Sequence, residues 1–504
     1  MEAALQSGGG WCDGLHPQRR SGIPNSDSKM SYGIYIGKNH TAEGVAYLAG
    51  YGDEPSSHWL DVVERQRHPE GASIKVGVTA HADLPGVLSE IPQARETARH
   101  IRVNYSFYKG TPAPLTNGGL NEHGVAVRDI WSPSRPELVA MTRKDQTGPN
   151  YSDLSRIVLE RAKTAVEGVR LTGALIAEHG HSTYGGNSNI IADSGEAWVV
   201  IQFAGGQGLW AAERLGDDSI RASRPGYIGI IPIGDSESQD FLYSPNLVDF
   251  AVSQRWYDPA SDEPFDVNKV YGDGKGKWEG VSWIEDELTS LARRPEKIAI
   301  EDVIWAVRTE RLTGDTAGYG QVVPLVDAHH PELRMLWHTQ IAAVAAPFVP
   351  VFMGVSEIPP EFQMHRYLTA GEAERFLDDR QSDDKVSLVP QDIEATRSAS
   401  HVFKRLLNLV LRHSEVFLPE VTALWKACER KLLQTSIDVS KAARILLDAG
   451  EPALAAKYLT YFTNTELVKA LDSAEELAAA LDIRSRALYG INSASKPLGP
   501  EQVW

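Results

Sequence analysis

Residues 31 to 53 read Ser31-Tyr-Gly-Ile-Tyr-Ile-Gly-Lys-Asn-His-Thr-Ala-Glu-Gly-Val-Ala-Tyr-Leu-Ala-Gly-Tyr-Gly-Asp53, and this stretch decides the fold. It contains two apolar, β-prone runs, Ser31 to Gly37 and Gly44 to Ala49, which flank a polar connection at 38–41. Two such runs around a short polar segment are typical of a β-hairpin. The stretch therefore predicts the first two strands of an antiparallel sheet.

Downstream of this hairpin, the pattern predicts more strands, then helices, then strands again. The β-prone runs are Ile74 to Val78, Gly124 to Ile130, Asn189 to Asp193, Ala197 to Phe203 and Gly208 to Glu213. Between them, Tyr151 to Ala165 and Val166 to Glu178 have helical spacing, with Ser152 and Asp153 as candidate caps. This order predicts an α+β fold in which stacked sheets are covered by helices.

The rest of the chain divides into a loop-rich section and a helical one. Residues Asp235 to Gly280 show no clean period and mix aromatic residues with Gly, Asp and Pro, so we expect loops there. From Glu394 onward, apolar residues recur at helical spacing, which predicts a module of several amphipathic helices. At 504 residues the chain exceeds the size of one typical domain, which agrees with a main domain plus a further module.

Composition argues against several classes of partner. Lys and Arg total 50 against 67 Asp and Glu, and the net charge is −17, so we expect no nucleic-acid partner. The most apolar run, Ile341 to Val355, is shorter than the roughly 20 residues that a membrane helix needs, so we expect no membrane span. Two cysteines are too few for a disulfide framework, which favours the cytoplasm.

The common catalytic motifs do not occur in this sequence. There is no Gly-x-Ser-x-Gly element, no His-Glu-x-x-His helix and no dinucleotide-binding glycine fingerprint. His179 and His181 have no third ligand nearby in sequence, and Asp273 to Lys277 lacks the ending of a phosphate loop. We therefore expect no metal and no other cofactor.

The hairpin instead carries a resemblance to a known family. Its opening, with Thr41-Ala-Glu-Gly44 and Gly50-Tyr-Gly-Asp53, resembles the start of mature dipeptidase A-type enzymes, relatives of the secernins and members of the N-terminal nucleophile (Ntn) hydrolases. Further matching segments are Asn117 to Ala126, Asp193 to Val199, Leu209 to Arg214, Met335 to His338 and Phe348 to Gly354. The resemblance implies a four-layer αββα sandwich of antiparallel sheets, followed by the C-terminal helical module.

Two positions depart from the family pattern. The family's nucleophile is Cys, and this chain has Ser31 at that position. The family's substrate-site Arg is replaced by Gly50, whereas the acid that follows it is kept as Asp53. Serine is a competent nucleophile in other Ntn enzymes, but the loss of the Arg puts dipeptidase specificity in doubt because Gly50 offers no charge.

The resemblance implies a mechanism in which Ser31 supplies both nucleophile and base. A free α-amine has a pKa of about 7.7–8.0 and can take the hydroxyl proton near neutral pH. Asp53 would hold that amine, and backbone N–H groups with an Asn side chain would stabilise the oxyanion. We predict Ser31, Asp53, Asn121 and Asn187 as catalytic residues, and Asn189 and Arg308 as substrate-binding residues. Any of the three Asn residues could serve the oxyanion, and Arg308 has an alternative role as an ion-paired residue.

This mechanism requires a free amine on Ser31. Either translation starts at Met30 and that methionine is removed, or residues 1–30 are cleaved as a propeptide; otherwise the chain is a zymogen or a non-catalytic relative. The rival nucleophile Cys12 is followed by Asp-Gly-Leu-His-Pro and lacks a strand signal. We predict three segments: a disordered extension or propeptide over 1–30, an Ntn-hydrolase domain over 31–360 and a helical module over 361–504.

Three classes of function stay open at this point. The first is hydrolysis of a small peptide or another small amide through a seryl-acyl intermediate. The second is a biosynthetic acyl or aminoacyl transferase, in which an amine intercepts the same intermediate. The third is a non-catalytic binding or regulatory protein that keeps the fold. We expect a small peptide or amide substrate and leave homo-oligomerisation open.

Overall fold

Two antiparallel sheets lie at the centre of the protein. The computed structural model describes residues 31–53, 58–105, 111–112, 114–233, 238–313, 318–364 and 397–490. The six-stranded sheet, sheet I, has the order β14-β1-β2-β16-β17-β18. Its strands are β1 (Tyr32–Ile36), β2 (Ala46–Tyr51), β14 (Ile220–Ser223), β16 (Gly320–Leu325), β17 (Met335–Thr339) and β18 (Val349–Phe352).

The eight-stranded sheet, sheet II, has the order β15-β13-β12-β11-β10-β9-β8-β3. Its strands are β3 (His58–Val63), β8 (His100–Tyr105), β9 (Leu115–Asn121), β10 (Ala126–Ile130), β11 (Asn187–Ala192), β12 (Ala197–Gln202), β13 (Trp210–Leu215) and β15 (Phe241–Tyr243). Two small ribbons pair β4 (Gln66–Arg67) with β7 (Glu96–Thr97) and β5 (Ser73–Val76) with β6 (Ser89–Pro92).

Eleven α-helices occur in the part of the chain that the structure describes. Those before the C-terminal region are α1 (Pro136–Ala140), α2 (Tyr151–Arg161), α3 (Ala165–His179), α4 (Leu247–Ser253), α5 (Val267–Tyr271), α6 (Glu279–Ala292), α7 (Ile300–Arg308) and α8 (Glu310–Thr313). The last three are α9 (Ala399–Arg412), α10 (Ser414–Asp448) and α11 (Pro452–Tyr489).

The two sheets pack face to face, and helices cover both outer faces. Gly33 of β1 lies so close to sheet II that a Cβ there would come within 2.5 Å of the Ile130 side chain and 2.9 Å of the Ile190 side chain. Helices α2 and α3 pack on sheet II, while α6 and α7 pack on sheet I. The layers therefore run helix, sheet, sheet, helix, and the predicted αββα fold is confirmed.

The hairpin and the later meander form as their sequence patterns predict. Strands β1 and β2 pair in antiparallel register with Gly33 opposite Gly50, and both strands are fully buried because sheet and helix cover their two faces. Strands β11, β12 and β13 pair consecutively in antiparallel register. Among the described residues of the loop-rich section that precede α6, the elements are short: β15, α4 and α5.

The start of α2 differs from the predicted caps. Asn150 is the N-cap, and its side chain accepts hydrogen bonds from the backbone N–H groups of Ser152 and Asp153. Asp153 in turn accepts from the Asn150 N–H at 3.1 Å, which completes a capping box. Asp153 thus contributes from inside the first turn. The Ser152 hydroxyl does not cap the helix; its oxygen accepts a hydrogen bond from the backbone N–H of Thr116 at 2.6 Å.

The C-terminal helices pack on the outer edge of sheet I. Helices α10 and α11 are 35 and 38 residues long and contact β18. Trp425 of α10 donates its indole N–H to the Ala345 carbonyl at 2.7 Å. The predicted helical character is present over 399–489, whereas the proposed domain boundary near residue 360 stays a prediction, since residues 365–396 lie outside the described residues.

The extension over 1–30 that the sequence analysis singled out, with Cys12 and Met30, also lies outside the described residues. Among the helices that are described, none combines the length and the apolar character needed to cross a membrane.

Candidate active site

Ser31 lies directly before β1 and is 9% exposed. Its hydroxyl oxygen accepts a hydrogen bond from the backbone N–H of Asp53 at 2.8 Å. The register that sets Tyr32 opposite Tyr51 brings the residue before β1 next to the end of β2. The structure therefore brings Ser31 and Asp53 together as predicted. The described bond comes from the Asp53 backbone, so a change of its side chain does not remove the donor.

The Ser31 side chain lies on the side of β1 that faces sheet II. Side chains alternate along a strand, so Ser31 shares a face with Gly33, which packs on Ile130 and Ile190. Two residues further on, Tyr35 is within electrostatic range of Asp193, which follows β11. Ser31 consequently lies toward the opposite end of β11, where Asn187 begins the strand.

A buried polar cluster lies between the sheets, beside the end of β2 that leads to Asp53. Arg128 of β10 is fully buried and donates from Nη1 to the side chains of Asn117 and Asp129, and from Nη2 to the Tyr51 carbonyl at 2.6 Å. The Tyr319 hydroxyl, from the residue before β16, donates to the same Asn117 oxygen at 2.9 Å. The cluster therefore joins three strands of the two sheets beside the segment that leads to Asp53.

Arg128 was not predicted as a site residue, although the sequence carries a signal for it. Arg128 interrupts the apolar run Gly124 to Ile130, whose flanking residues Val127 and Ile130 are at most 1% exposed. A cation inside a strand with two buried faces needs polar partners, so this pattern indicates a buried polar cluster. Asn117, the first residue of one of the matching segments, lies within β9 and binds Arg128 and Tyr319.

Aromatic and imidazole rings extend this cluster. His58 of β3 lies 5.8 Å from the Tyr105 ring and 5.4 Å from the Tyr319 ring, centroid to centroid. His338 of β17 is 6.3 Å from Tyr319, and burial lowers its pKa to about 3. His338 is therefore neutral at neutral pH, whereas Arg128 and Asp129 form an ion pair at 2.6 Å.

The three predicted Asn residues occupy different places. Asn187 lies at the Ser31 end of sheet II, where its amide donates to the Ser188 carbonyl at 3.2 Å and its oxygen accepts from Tyr184 at 3.3 Å. Asn189 points to the outer helical layer, since it donates to Ser155 of α2 at 2.9 Å. It also accepts from Gln202 at 2.9 Å. Asn187 and Asn189 are two residues apart on β11, so both side chains lie on the face toward the helices. Asn187 is the nearer of the two to the Ser31 end of the strand, and its oxyanion role stays a prediction.

Asn121 is separated from Ser31 by the length of β9. It pairs with His100, the first residue of β8. On the next strands, Ala126 pairs with Ala192, so Asn121 lies at the end of the sheet where Asp193 follows β11. Its amide donates to the Leu159 and Ala162 carbonyls, and its oxygen accepts from two backbone N–H groups. These four bonds saturate its capacity, so Asn121 is a structural turn residue and the prediction that placed it at the nucleophile needs correction.

Arg308 also lies elsewhere. It ends α7 on the outer face of sheet I, where Tyr32 donates its hydroxyl to the Ala306 carbonyl. Its guanidinium forms a buried bidentate pair with Glu429 of α10 and donates to the Ala346 carbonyl at 3.0 Å. The ion-paired alternative describes Arg308, and the predicted substrate contact is not supported.

The described residues contain no group of three or more His, Cys, Asp or Glu arranged to hold a metal. Of the two histidines considered as a metal pair, His181 is buried and its Nδ1 lies 2.9 Å from the Pro149 carbonyl oxygen, a hydrogen bond that accounts for its position without a metal. In the glycine-rich segment, Lys277 pairs with Glu285 of α6 at 2.7 Å, so its charge is already engaged. Cys428 is a free cysteine on α10.

Comparisons with known proteins agree with the resemblance found in the sequence. Residues 116–279 match the family model described as Peptidase family C69. A probable dipeptidase from Salmonella dublin is 30% identical over 181 residues, which cover 35% of this chain and 40% of that protein. Probable dipeptidase A from Streptococcus pyogenes serotype M3 is 27% identical over 162 residues, 32% of this chain and 33% of that protein. The resemblance to dipeptidase A-type proteins is thereby confirmed, over less than half the length of either relative.

Two solved structures align with a larger part of the chain at lower identity. A mutant conjugated bile acid hydrolase from Clostridium perfringens is 12% identical, with 64% of this chain and 92% of that chain covered and a TM-score of 0.31. Penicillin V acylase from Agrobacterium tumefaciens is 14% identical, with 64% and 86% covered and a TM-score of 0.28. The αββα assignment follows from the two sheets of this chain and the helices that pack on their outer faces.

Proposed function

We propose that this chain hydrolyses the amide bond of a small peptide, with Ser31 as an N-terminal nucleophile. The observation that carries the proposal is the placement of Ser31. It begins the first strand, its side chain lies on the face toward the opposing sheet, and its hydroxyl oxygen is held by the Asp53 N–H at 2.8 Å. The match to the Peptidase C69 family model, and the relatives described as probable dipeptidases, support a peptide as the substrate.

The proposed reaction proceeds in two balanced steps. In the first, the free α-amine of Ser31 takes the hydroxyl proton while Oγ attacks the substrate carbonyl carbon. The C–N bond then breaks, the departing amine receives that proton, and the acyl group stays on Oγ as an ester. In the second step, water loses a proton to the α-amine and attacks the ester carbonyl. The Oγ–C bond breaks, and the proton returns to Oγ as the acid is released.

The oxyanion of each tetrahedral intermediate needs donors near Ser31. We keep Asn187 as the side-chain candidate because it begins β11 at this end of sheet II. To serve the intermediate, its amide must leave the Ser188 carbonyl and turn from the helix-facing side toward Ser31. The Asp53 N–H already points at Ser31 and fixes Oγ before attack. Asn187→Ala therefore tests the oxyanion role without removing the contact that positions the nucleophile.

The experiment compares two forms of the protein and three variants. One form begins at Ser31 and the other retains residues 1–30, and each is assayed on a panel of dipeptides with release of free amino acids as the readout. We expect activity only in the form that begins at Ser31. Ser31→Ala in that form removes the nucleophile and is expected to lower kcat by at least about 10³-fold, whereas Ser31→Cys retains turnover.

Ser73→Ala is the control at a serine outside the site, because Ser73 begins β5 of the two-stranded ribbon and donates its hydroxyl to Glu90 at 2.8 Å. Full dipeptidase activity of Ser31→Ala, or equal activity of the form with residues 1–30, would overturn the proposal. Added amine nucleophiles address the transferase alternative: products that carry the added amine in place of water indicate acyl transfer through the same intermediate. A cytoplasmic location and homo-oligomerisation remain predictions from the sequence.

A further inference from the structure

Arg128 is a fully buried cation to which the proposed mechanism gives no role. It lies in the middle of β10 with its side chain between the two sheets. Its guanidinium is held by Asn117, by Asp129 at 2.6 Å and by the Tyr51 carbonyl at 2.6 Å. Burial of a charge in the central layer is costly, so this multiply bonded arrangement calls for a reason beyond packing.

Gly50 makes room for this side chain. A Cβ on Gly50 would lie 2.9 Å from Arg128 Nε and 3.0 Å from its Cδ, closer than real Cβ contacts allow. The Arg128 side chain thus extends from β10 toward sheet I through the space that any side chain on Gly50 would fill. Gly50 has no side chain, so the cation beside the end of β2 is Arg128, which comes from the opposing sheet.

The Arg128 contacts lead directly to the nucleophile. The Tyr51 carbonyl that accepts from Nη2 is two residues before Asp53, and the Asp53 N–H donates to Ser31 Oγ. Between them, the Gly52 N–H donates to the Tyr319 carbonyl at 2.9 Å. Tyr319 in turn bonds the same Asn117 oxygen as Arg128. These bonds fix residues 51–53 from sheet II as well as from within sheet I.

We propose that Arg128 is a positioning residue that holds the Tyr51 to Asp53 segment, and through it the Ser31 hydroxyl, in the geometry needed for attack. Its catalytic consequence rests on the function proposed above for Ser31. Because Arg128 is 0% exposed, it does not contact substrate in this arrangement. Its loss is therefore expected to appear in kcat and not in KM.

The test uses Arg128→Lys and Arg128→Met in the form that begins at Ser31. A displacement of a reacting group by about 1 Å can cost about 10²-fold, so we expect kcat of Arg128→Met to fall by about 10- to 100-fold with KM within about 3-fold. Arg128→Lys keeps the charge but not the planar fork, and is expected to fall between the wild type and Arg128→Met.

A second readout does not depend on activity. Hydrogen–deuterium exchange of the peptide that contains Gly52 and Asp53 reports the two N–H groups that the segment uses. We expect faster exchange there in both Arg128 variants. Arg334→Met is the matched control, since Arg334 is also a buried arginine that donates to a backbone carbonyl, that of Glu122 at 2.6 Å. It is expected to leave both the exchange of this peptide and kcat unchanged.

The inference is overturned if exchange at Gly52 and Asp53 is unchanged in Arg128→Met, or if the Arg334 control accelerates it equally. A loss confined to KM would also overturn it, because that pattern belongs to a substrate contact. Failure of the proposed function looks different: Ser31→Ala would then retain activity, while faster exchange in the Arg128 variants would still show that Arg128 holds the segment.

Discussion

Removal of one partner of the Arg308–Glu429 pair provides a quantitative test of how α10 is attached to the sandwich. The side chains are 3% and 4% exposed, and Glu429 also accepts from the Phe348 N–H at 2.8 Å. Burial raises the pKa of Glu429 even with Arg308 beside it, so the environment is poor in solvent. Glu429→Gln leaves the Arg308 charge buried without its anion, and we expect a loss of about 3–5 kcal/mol in the free energy of unfolding.

Urea denaturation followed by tryptophan fluorescence measures this loss, with Trp425 on the same helix as a local reporter. The double variant Arg308→Met with Glu429→Leu removes both charges and is expected to recover most of the stability. The control is Glu420→Gln, which breaks the exposed Arg484–Glu420 pair between α10 and α11 and is expected to change stability little. A Glu429→Gln loss no larger than that of the control would refute the reasoning.

The same variants separate a structural Arg308 from a substrate-binding one. Arg308 bonds Glu429 and the Ala346 carbonyl on the outer face of sheet I. We therefore expect Arg308→Met, measured where it is folded, to have the KM of the wild type for every dipeptide that is turned over. A large rise in KM with unchanged stability would restore the substrate contact predicted from the sequence.

Three further predictions follow from single positions. Burial lowers the pKa of His338 from 6.5 to about 3, so between these pH values the unfolded chain binds a proton that the folded chain does not, and the protein loses stability as the pH falls. Urea titrations at pH 6 and pH 4.5 give the slope of the unfolding free energy against pH, and His338→Gln should reduce that slope by about 1.4 kcal/mol per pH unit. An unchanged slope would contradict this prediction. Asn150→Ala removes the two cap bonds and the bond that its amide donates to the Gly77 carbonyl at 2.7 Å, and should cost about 1–2 kcal/mol by urea denaturation; a loss below about 0.5 kcal/mol would argue against the cap. Gly33→Ala places a Cβ 2.5 Å from the Ile130 side chain and should cost about 1–3 kcal/mol, and Ile130→Val should relieve it; no relief would mean that the sheets do not meet there.

Much of the fold could be predicted because its signals are local. The β1–β2 hairpin and the β11–β13 meander follow from apolar runs with turn residues between them, and the two helices before the meander follow from their 3.6-residue period. The cap of α2 was predicted at Ser152 or Asp153 and lies at Asn150, because Ser, Asp and Asn are all good caps and only the backbone geometry decides among them.

The proximity of site residues could be predicted only where both residues belong to one short segment of the chain. Ser31 and Asp53 lie on one hairpin, so their spacing in sequence already implies proximity. Asn121, Asn189 and Arg308 depend on which end of a strand, or which face of a sheet, each residue occupies, and a list of polar residues does not contain that information. Arg128 was missed for the same reason, since its partners Asn117 and Tyr51 come from two other strands.

The most direct test of the central claim is to identify the residue that carries the acyl group during turnover. The form that begins at Ser31 is quenched in acid while it turns over a dipeptide, and the digested protein is analysed by peptide mass spectrometry. The account predicts the mass of the substrate's acyl group on the peptide that begins at Ser31, and none on that peptide in Ser31→Ala. An acyl group on a different residue, with the Ser31 peptide unmodified throughout turnover, would contradict the account.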